Sequence, residues 1–169
     1  RRLQEALNPP QENKREKRFG DIIFREGDRV MQTRNDYDVV WQKEDGTAGT
    51  GIFNGDVGKI AKIDPSGELL EIVFDDRTAT YTSDMLAELD MAYAMTVHKA
   101  QGSEYRGVVF VGAPCAPSLM VRGVLYTAIT RARELLVIVG DDSAVNKMAE
   151  NDRRYSGLKW RLRKGGEEK

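Results

Sequence analysis

The spacing of apolar residues changes near residue 91, and this change constrains the fold more than any other feature of the sequence. Between residues 21 and 90 the apolar residues form short, alternating runs that are separated by turns rich in Gly, Asn and Asp. Short strands at this spacing are typical of a small β-barrel. Within this region, residues 36–51 contain three glycines and are predicted to form a long mobile loop between strands.

Beyond residue 91 the sequence predicts a different architecture. Residues 108–111 and 135–139 are apolar throughout, whereas residues 121–133 and 143–151 have helical character, the second helix being capped by Asp142 or Ser143. Apolar strands that alternate with helices indicate a parallel sheet with covered faces. The predicted fold class is therefore mixed: a small β-barrel followed by part of an α/β layer.

The ends of the chain suggest a piece of a longer protein. Residues 1–8 could form one or two helical turns, which Pro9 and Pro10 end, and the polar residues that follow are predicted to be a linker. A chain that opens in mid-helix without an initiator Met is expected to continue upstream. The predicted division is a helical stub and linker at 1–20, the barrel at 21–90, the α/β layer at 91–155 and a basic tail at 156–169.

Composition excludes several classes of site. Cys115 and His98 are the only residues of their types, so neither a disulfide framework nor a metal site built on histidine or cysteine is expected. The mean hydropathy is −0.53, and no apolar run approaches the roughly 20 residues that span a bilayer. No secretory signal opens the chain. A cytoplasmic protein without membrane contact is the expectation.

Charge is distributed unevenly along the chain. Residues 21–90 carry seven basic and sixteen acidic side chains, a net charge of −9, whereas residues 91–133 carry five basic and one acidic, a net charge of +4. A basic segment in an acidic chain suggests a local anionic partner such as phosphate, although a solvated face has the same composition. The sequence has no phosphate-binding loop, since its nearest approach, residues 54–60, lacks both the first glycine and the Ser/Thr after the lysine.

Two segments have the residue types that bind phosphate. In residues 96–104, Thr96 and Ser103 can donate to phosphate oxygens, Gly102 permits close backbone approach, and Glu104 can accept from a sugar hydroxyl. A strand is predicted to end at this turn, and the alternative is a capped turn with a satisfied histidine. Further along, Arg131 could act on a transferring phosphoryl group or simply complement a helix dipole.

The two segments together resemble a known family. TVHKAQGSEY (96–105) is similar to motif V, and LYTAITRARELLVIVG (125–140) is similar to motif VI, of superfamily 1 DNA helicases. GDRVMQTRNDY (27–37) and FNGDVGKI (53–60) resemble sequences of the RecD-like subfamily, the exodeoxyribonuclease V alpha-subunit family. The resemblance implies an SH3-like barrel inserted in the second of two RecA-like lobes, of which residues 91–155 are the distal part.

The resemblance also implies roles for individual residues. Arg131 matches the arginine finger that contacts the γ-phosphate of ATP. The residues matched to nucleotide contact or to coupling between the two ligands are Gly102, Glu104 and Gln101. The residues matched to the DNA backbone are Thr96, His98, Lys99 and Ser103. No metal ligand is expected in this chain.

The first helicase lobe, with its phosphate loop and magnesium carboxylate, has no counterpart in these residues. The chain is therefore expected to lack ATPase activity and bound cofactor by itself, and to act with ATP and Mg²⁺ only within a 5′–3′ helicase. Its expected partners are single-stranded DNA and the missing N-terminal lobe. The barrel could contact a protein, or guide the strand through Arg34, Tyr37 and Trp41. The alternatives are a stand-alone SH3-like interaction module and an RNA-acting superfamily 1 helicase.

Overall fold

The computed structural model describes residues 2–152, and the chain divides into two compact units. The first unit ends at Met95 and the second begins at Thr96. The predicted basic tail, 156–169, lies outside the described residues. In chain order the first unit contains α1 (Arg2–Leu7), β1 (Glu16–Phe19), β2 (Ile22–Arg25), β3 (Arg29–Gln32), β4 (Asp36–Gln42), β5 (Ala48–Ile52), β6 (Val57–Ile63), β7 (Leu69–Phe74), β8 (Arg77–Thr82), a 3₁₀ turn (Met85–Glu88) and β9 (Leu89–Met91).

Seven strands of the first unit form one antiparallel sheet in the order β5-β4-β8-β7-β6-β3-β9. Strand β6 shows how the sequence produces its core. Gly58 and Ile60 point inward, a register shift after Ile60 leaves both Ala61 and Lys62 exposed, and Ile63 returns to the core. The fully buried side chains of this sheet and of β2 form a single cluster, whose members include Phe24, Val30, Ile52, Ile60, Leu70, Ile72 and Tyr81.

Two predictions for the first unit are wrong. Residues 36–51 are not a mobile loop, because β4 and β5 pair antiparallel across them. Their glycines fit the packing: a Cβ on Gly49 would lie 2.4 Å from the Trp41 ring, and Gly51 has a φ of 97°. The predicted linker also contains regular structure, since β1 pairs with β2 and Arg25 Nε lies 2.6 Å from Glu16 Oε1.

A buried carboxylate connects the helix to the sheet. Asp28 is fully buried, and its oxygens accept hydrogen bonds from Gln4 Nε2 (2.7 Å), Asn8 Nδ2 (2.7 Å), the Arg25 amide (2.8 Å) and Tyr93 Oη (2.7 Å). Because a buried charge is tolerated only when it is hydrogen-bonded, these donors and the carboxylate depend on one another. Asp28 therefore fixes both α1 and the segment that follows β9 to the sheet.

The second unit contains β10 (Tyr105–Gly112), α2 (Arg122–Ile129), β11 (Ala132–Gly140) and α3 (Asp142–Glu150). β10 and β11 pair in parallel, as their unbroken apolar character predicted. The cap of α3 is one residue earlier than predicted: Asp141 accepts a hydrogen bond from the Ser143 amide at 2.8 Å. The bonds from Ser143 hold the pKa of Asp141 below its usual value.

One face of the parallel pair carries most of its exposed apolar side chains. A Cβ on Gly112 would lie 2.5 Å from Val145 of α3, so the face that Gly112 shares with Val108 and Phe110 is the one next to α3. The opposite face contains the alternate residues of both strands. Its side chains, all apolar and 38–66% exposed, are Val109, Val111, Leu135, Val137 and Val139.

Candidate functional site

The turn predicted to bind phosphate and DNA spans residues 96–104. No strand leads directly into it, contrary to prediction, because β9 ends at Met91; instead β10 begins just after the turn. Backbone hydrogen bonds between residues close in sequence shape the turn. The Ala100 amide donates to the Thr96 carbonyl at 3.2 Å, and the Ser103 amide donates to the Ala100 carbonyl at 3.2 Å. Ala100 is buried and anchors the turn.

The polar residues of this turn are presented to solvent. The side chains of Thr96, His98, Lys99, Gln101 and Glu104 are exposed. Thr96 Oγ1 accepts from the Lys99 amide at 3.3 Å, so the threonine caps the turn and its hydroxyl proton can still be donated outward. The capped turn and the ligand-binding turn are thus compatible interpretations of the same residue.

Gly102 adopts a backbone conformation that favours glycine. Its φ is 86°, and no atom lies within 4 Å of the position a Cβ would take. Glycine is therefore required by the backbone conformation, while the space beside it is open to a ligand.

Arg131 is held against this turn. It follows α2, is half-buried, and donates from Nη1 to the Ser103 carbonyl at 2.8 Å. Its Nε donates to the Thr127 carbonyl at 3.2 Å and its Nη2 to Thr130 Oγ1 at 3.3 Å. The guanidinium has five N–H donors, so these three bonds leave two for an anion. The predicted arginine and the predicted turn are thus in direct contact.

Glu104 has a partner that the sequence did not reveal. Its Oε2 accepts from Arg133 Nε at 2.6 Å, and both side chains are exposed. Arg133 lies on β11, and the register of the parallel strands places it beside the end of the turn. This exposed pair orients Glu104 but contributes little to stability. Within residues 2–152 no cluster of His, Cys, Asp and Glu could hold a metal ion.

The residues proposed for strand guidance on the barrel differ in exposure. Arg34 and Tyr37 are exposed, and Tyr37 makes an edge-to-face contact with Phe53, their ring centroids being 5.6 Å apart. Trp41 is partly buried and packs on the core, with Lys43 and Arg77 about 6 Å from its ring. The packing role of Trp41 is present in the structure, whereas the guidance role of all three residues stays a prediction.

Two family models match the chain. Residues 1–74 match the family model for the SH3 domain of ATP-dependent RecD-like DNA helicases, and residues 91–139 match that for the UvrD-like helicase C-terminal domain. The chain also resembles a crystal structure of Bacteroides Pif1 bound to single-stranded DNA, with a TM-score of 0.56 and 16% identity, over 98% of this chain and 43% of that one. At that identity the likeness shows the fold.

Two relatives extend the comparison. The chain is 36% identical to the ATP-dependent RecD2 DNA helicase of Deinococcus radiodurans over 163 residues, which are 95% of this chain and 21% of that protein. It is 31% identical to the RecBCD enzyme subunit RecD of Mycolicibacterium smegmatis over 83% of this chain and 23% of that protein. The chain thus spans about a fifth of the length of these relatives.

The two family matches define a chain built from helicase domains, an SH3 domain followed by a UvrD-like C-terminal domain, as the motifs predicted. Within that class, the chain belongs to the RecD-like DNA helicase family. Across residues 2–152, no helix combines the length and apolar character needed to cross a membrane.

Sequence reasoning missed the buried network of the first unit that includes Asp28 and Tyr93. For Asp28 the available signal was an acidic residue just before a buried strand. Tyr93 lies three residues before the turn, among mostly apolar neighbours, and its hydroxyl donates to Asp28. Asp28 lies in a segment (27–37) that supported the family resemblance but implied no role for individual residues, and Tyr93 lies outside every segment quoted for it.

Proposed function

We propose that this chain is the C-terminal part of an ATP-dependent DNA helicase, to which it contributes Arg131 as a ligand of the γ-phosphate and the turn 96–104 as part of the single-strand track. The observation that carries the proposal is the hydrogen bond from Arg131 Nη1 to the Ser103 carbonyl, because it joins the nucleotide-facing residue to that turn.

Arg131 is suited to act on a transferring phosphoryl group. In such reactions negative charge develops on the equatorial oxygens, and an arginine placed against them stabilises the transition state. The bonds from Arg131 to Thr127 and Thr130 limit its rotamers, so that two N–H groups stay oriented toward an anion. This is positioning of a fixed positive charge, with no proton transfer by the arginine.

The residues present fit one side of an ATP site. Gly102 leaves open space beside the turn, and the side chains of Gln101 and Glu104 are exposed to solvent. These residues would face the sugar and phosphates, while Mg²⁺ and the phosphate loop belong to the remainder of the protein. ATP, when bound, would supply the γ-phosphoryl group that is transferred to water, and this hydrolysis of ATP would drive opening of the lobes.

The other end of the turn would contact DNA. Thr96, His98 and Lys99 are exposed and precede the nucleotide-facing residues by only a few positions. A threonine hydroxyl and a lysine ammonium both donate to phosphate oxygens without reading base sequence. Movement of Arg131 on nucleotide binding would pull on Ser103 and so change the presentation of the DNA-facing residues.

The exposed face of the parallel pair supports the idea that this unit is part of a larger lobe. Five apolar side chains on one face of β10 and β11 are 38–66% exposed. Parallel sheets are normally covered on both faces, so we propose that further elements of the same polypeptide pack on this face in the complete helicase. The stand-alone interaction module has no comparable explanation for this face.

The test of the proposal is ATP turnover by the full-length parent carrying Arg131→Ala. We expect kcat to fall by about 10³- to 10⁵-fold while ATP binding changes little, because the arginine acts mainly on the transition state. Arg131→Lys is expected to restore little, since lysine lacks the planar fork.

The matched control is Arg106→Ala. Arg106 lies on β10 of the same unit but is strongly exposed, and its ion pair among residues 2–152 is with the exposed Glu134, so turnover should stay near that of the unchanged protein. If Arg131→Ala keeps kcat within about threefold of the unchanged protein, which corresponds to about 0.7 kcal/mol, the arginine is structural and the proposal is wrong.

A further inference from the structure

The first unit contains a groove whose lining residues all lie outside motifs V and VI. Its volume is about 410 Å³, and the residues used in the argument below are Leu7, Asn8, Gly27, Arg29, Lys59 and Tyr93. We call it the α1 groove, because the C-terminal end of α1 forms one wall. The other walls come from β3, β6 and the segment after β9.

Two positive charges stand side by side in the α1 groove. Arg29 of β3 and Lys59 of β6 are directly opposite each other in the antiparallel register, and both are exposed. Like charges in such a cross-strand pair destabilise a sheet. Within residues 2–152, neither side chain makes an ion pair or a side-chain hydrogen bond that would relieve the repulsion. The pair is therefore suited to an anion supplied from outside the barrel.

The acidic residues nearest in sequence are committed elsewhere. Asp28 is fully buried and accepts its four hydrogen bonds inside the barrel. The Glu26 carboxylate accepts from the amides of Ile63 and Arg15. Neither carboxylate is therefore available to neutralise the pair of cations.

A third cation lies beside the α1 groove. A neighbouring cavity of about 270 Å³ shares Gly27 and Lys59 with the groove and is also lined by Lys14 and by Glu26, whose carboxylate accepts the two amide bonds described above. Lys14 Nζ donates to Asn8 Oδ1 at 2.6 Å, which holds it at the edge of the groove. Gly27 has a φ of 91°, and a Cβ there would lie 3.2 Å from Asn8 Oδ1. Glycine at this position therefore avoids a close contact at the boundary of the two cavities.

We propose that the α1 groove binds one or two phosphates of single-stranded DNA, an inference that rests on the proposed function. Leu7, which is 69% exposed, and Tyr93 provide apolar surface beside the cations, as a sugar or base would require. A duplex needs a broad positive face, and the net charge of −9 over residues 21–90 argues against one. A single DNA strand is flexible, so one or two of its phosphates can reach the local pair of Arg29 and Lys59.

The test is the affinity of the 169-residue chain for a fluorescent dT15 oligonucleotide, measured by anisotropy over a range of salt. Arg29→Ala combined with Lys59→Ala should weaken binding at least tenfold at low salt. It should also make the slope of log K against log salt shallower by about 1.4, because each phosphate contact on a single strand contributes about 0.7. Lys62→Ala is the matched control: it is an exposed lysine of the same strand, but it lies opposite Glu71.

Thermal unfolding separates a binding role from a structural one. Removing a like-charge pair should leave Tm unchanged or raise it. A double variant that melts at lower temperature and loses binding would indicate a structural pair and overturn the proposal. The proposal also fails if the unaltered chain does not bind dT15 at low salt, or if the double variant binds like the Lys62→Ala control.

Competition identifies the chemistry of the ligand. Poly-glutamate of equal charge should displace dT15 only weakly, and equal displacement would reassign the groove to acidic protein segments. A second double variant, Thr96→Ala with His98→Ala, reports on the helicase turn alone. Loss of binding in that variant but not in the groove variant would overturn the groove proposal while leaving the proposed function intact. The proposed function itself is decided by ATP turnover of the Arg131 variants.

Discussion

The barrel and the second unit differ in how completely their own residues cover their apolar strands. Val30 of β3 is fully buried in a core closed by seven strands, whereas Val109 of β10 is 66% exposed on a two-stranded sheet. Both are valines in apolar strand segments, so the difference lies in the surrounding elements. The barrel satisfies its core within these residues, and the unit that carries the helicase motifs does not.

The proposed ligand-binding residues are divided between these two units. The turn 96–104 and Arg131 are shaped by local bonds, so they keep their geometry even though the sheet beneath them lacks neighbours on one face. The barrel, in turn, presents a cross-strand pair of cations on an otherwise acidic surface. The turn and Arg131 therefore belong to the unit whose sheet is partly exposed, and the cation pair belongs to the unit with the complete core.

Paired valine substitutions test the contrast with the largest expected effect. Val30→Ala should destabilise the barrel by about 2 kcal/mol, the transfer and cavity cost of the deleted buried groups. Val109→Ala in the same chain should change the free energy of unfolding by less than about 0.5 kcal/mol, because its side chain is exposed. Denaturant unfolding of both variants measures the difference.

The same two substitutions, Val30→Ala and Val109→Ala, can be compared by denaturant unfolding in the full-length parent. There Val109→Ala should become costly, since we propose that further elements cover this face. If Val109→Ala is neutral in both the chain and the parent, the face is permanently exposed and the incomplete-lobe interpretation is wrong.

A smaller effect is expected where the barrel meets the segment that leads to the turn. Tyr93→Phe removes the bond from Tyr93 Oη to Asp28 and should cost about 1 kcal/mol at neutral pH. Burial and that bond raise the pKa of Tyr93 to about 12, above the usual value of about 10. The hydroxyl therefore stabilises the fold fully below about pH 10, and this stabilisation is lost as the pH rises toward 12.

The difference in stability between the unchanged chain and Tyr93→Phe should accordingly shrink between pH 10 and pH 12. Chemical unfolding at a series of pH values measures it. Tyr37→Phe is the control, because Tyr37 is exposed. A difference that stays constant across this range would show that the bond from Tyr93 to Asp28 contributes nothing in solution.

Much of the architecture was predictable because hydrophobic spacing records burial. The alternation in β6 and the unbroken apolar runs of β10 and β11 indicated an antiparallel and a parallel sheet, and both are present. The hairpin of β4 and β5 was missed because Gly49 and Gly51 suggested mobility. Glycine there serves close packing against the Trp41 ring and a positive φ, and neither is visible without the partner strand.

The candidate site was predictable only as a set of residues. The motifs selected Arg131 and Ser103, and the structure adds that a backbone carbonyl joins them. The ion pair between Glu104 and Arg133 depends on the register of two parallel strands, and the cross-strand pair of Arg29 and Lys59 depends on that of two antiparallel strands. Register over such distances in sequence is set by tertiary packing, so local patterns did not reveal either pair.

The most direct test of this division of labour is steady-state ATP hydrolysis by the 169-residue chain itself, with and without single-stranded DNA. Phosphoryl transfer needs a phosphate loop and metal-binding carboxylates opposite the arginine, and the sequence contains no phosphate-loop motif. The account predicts no turnover above the buffer control in either condition. Turnover that rises in proportion to the concentration of highly purified chain would contradict it, because Arg131 would then be working within a complete active site.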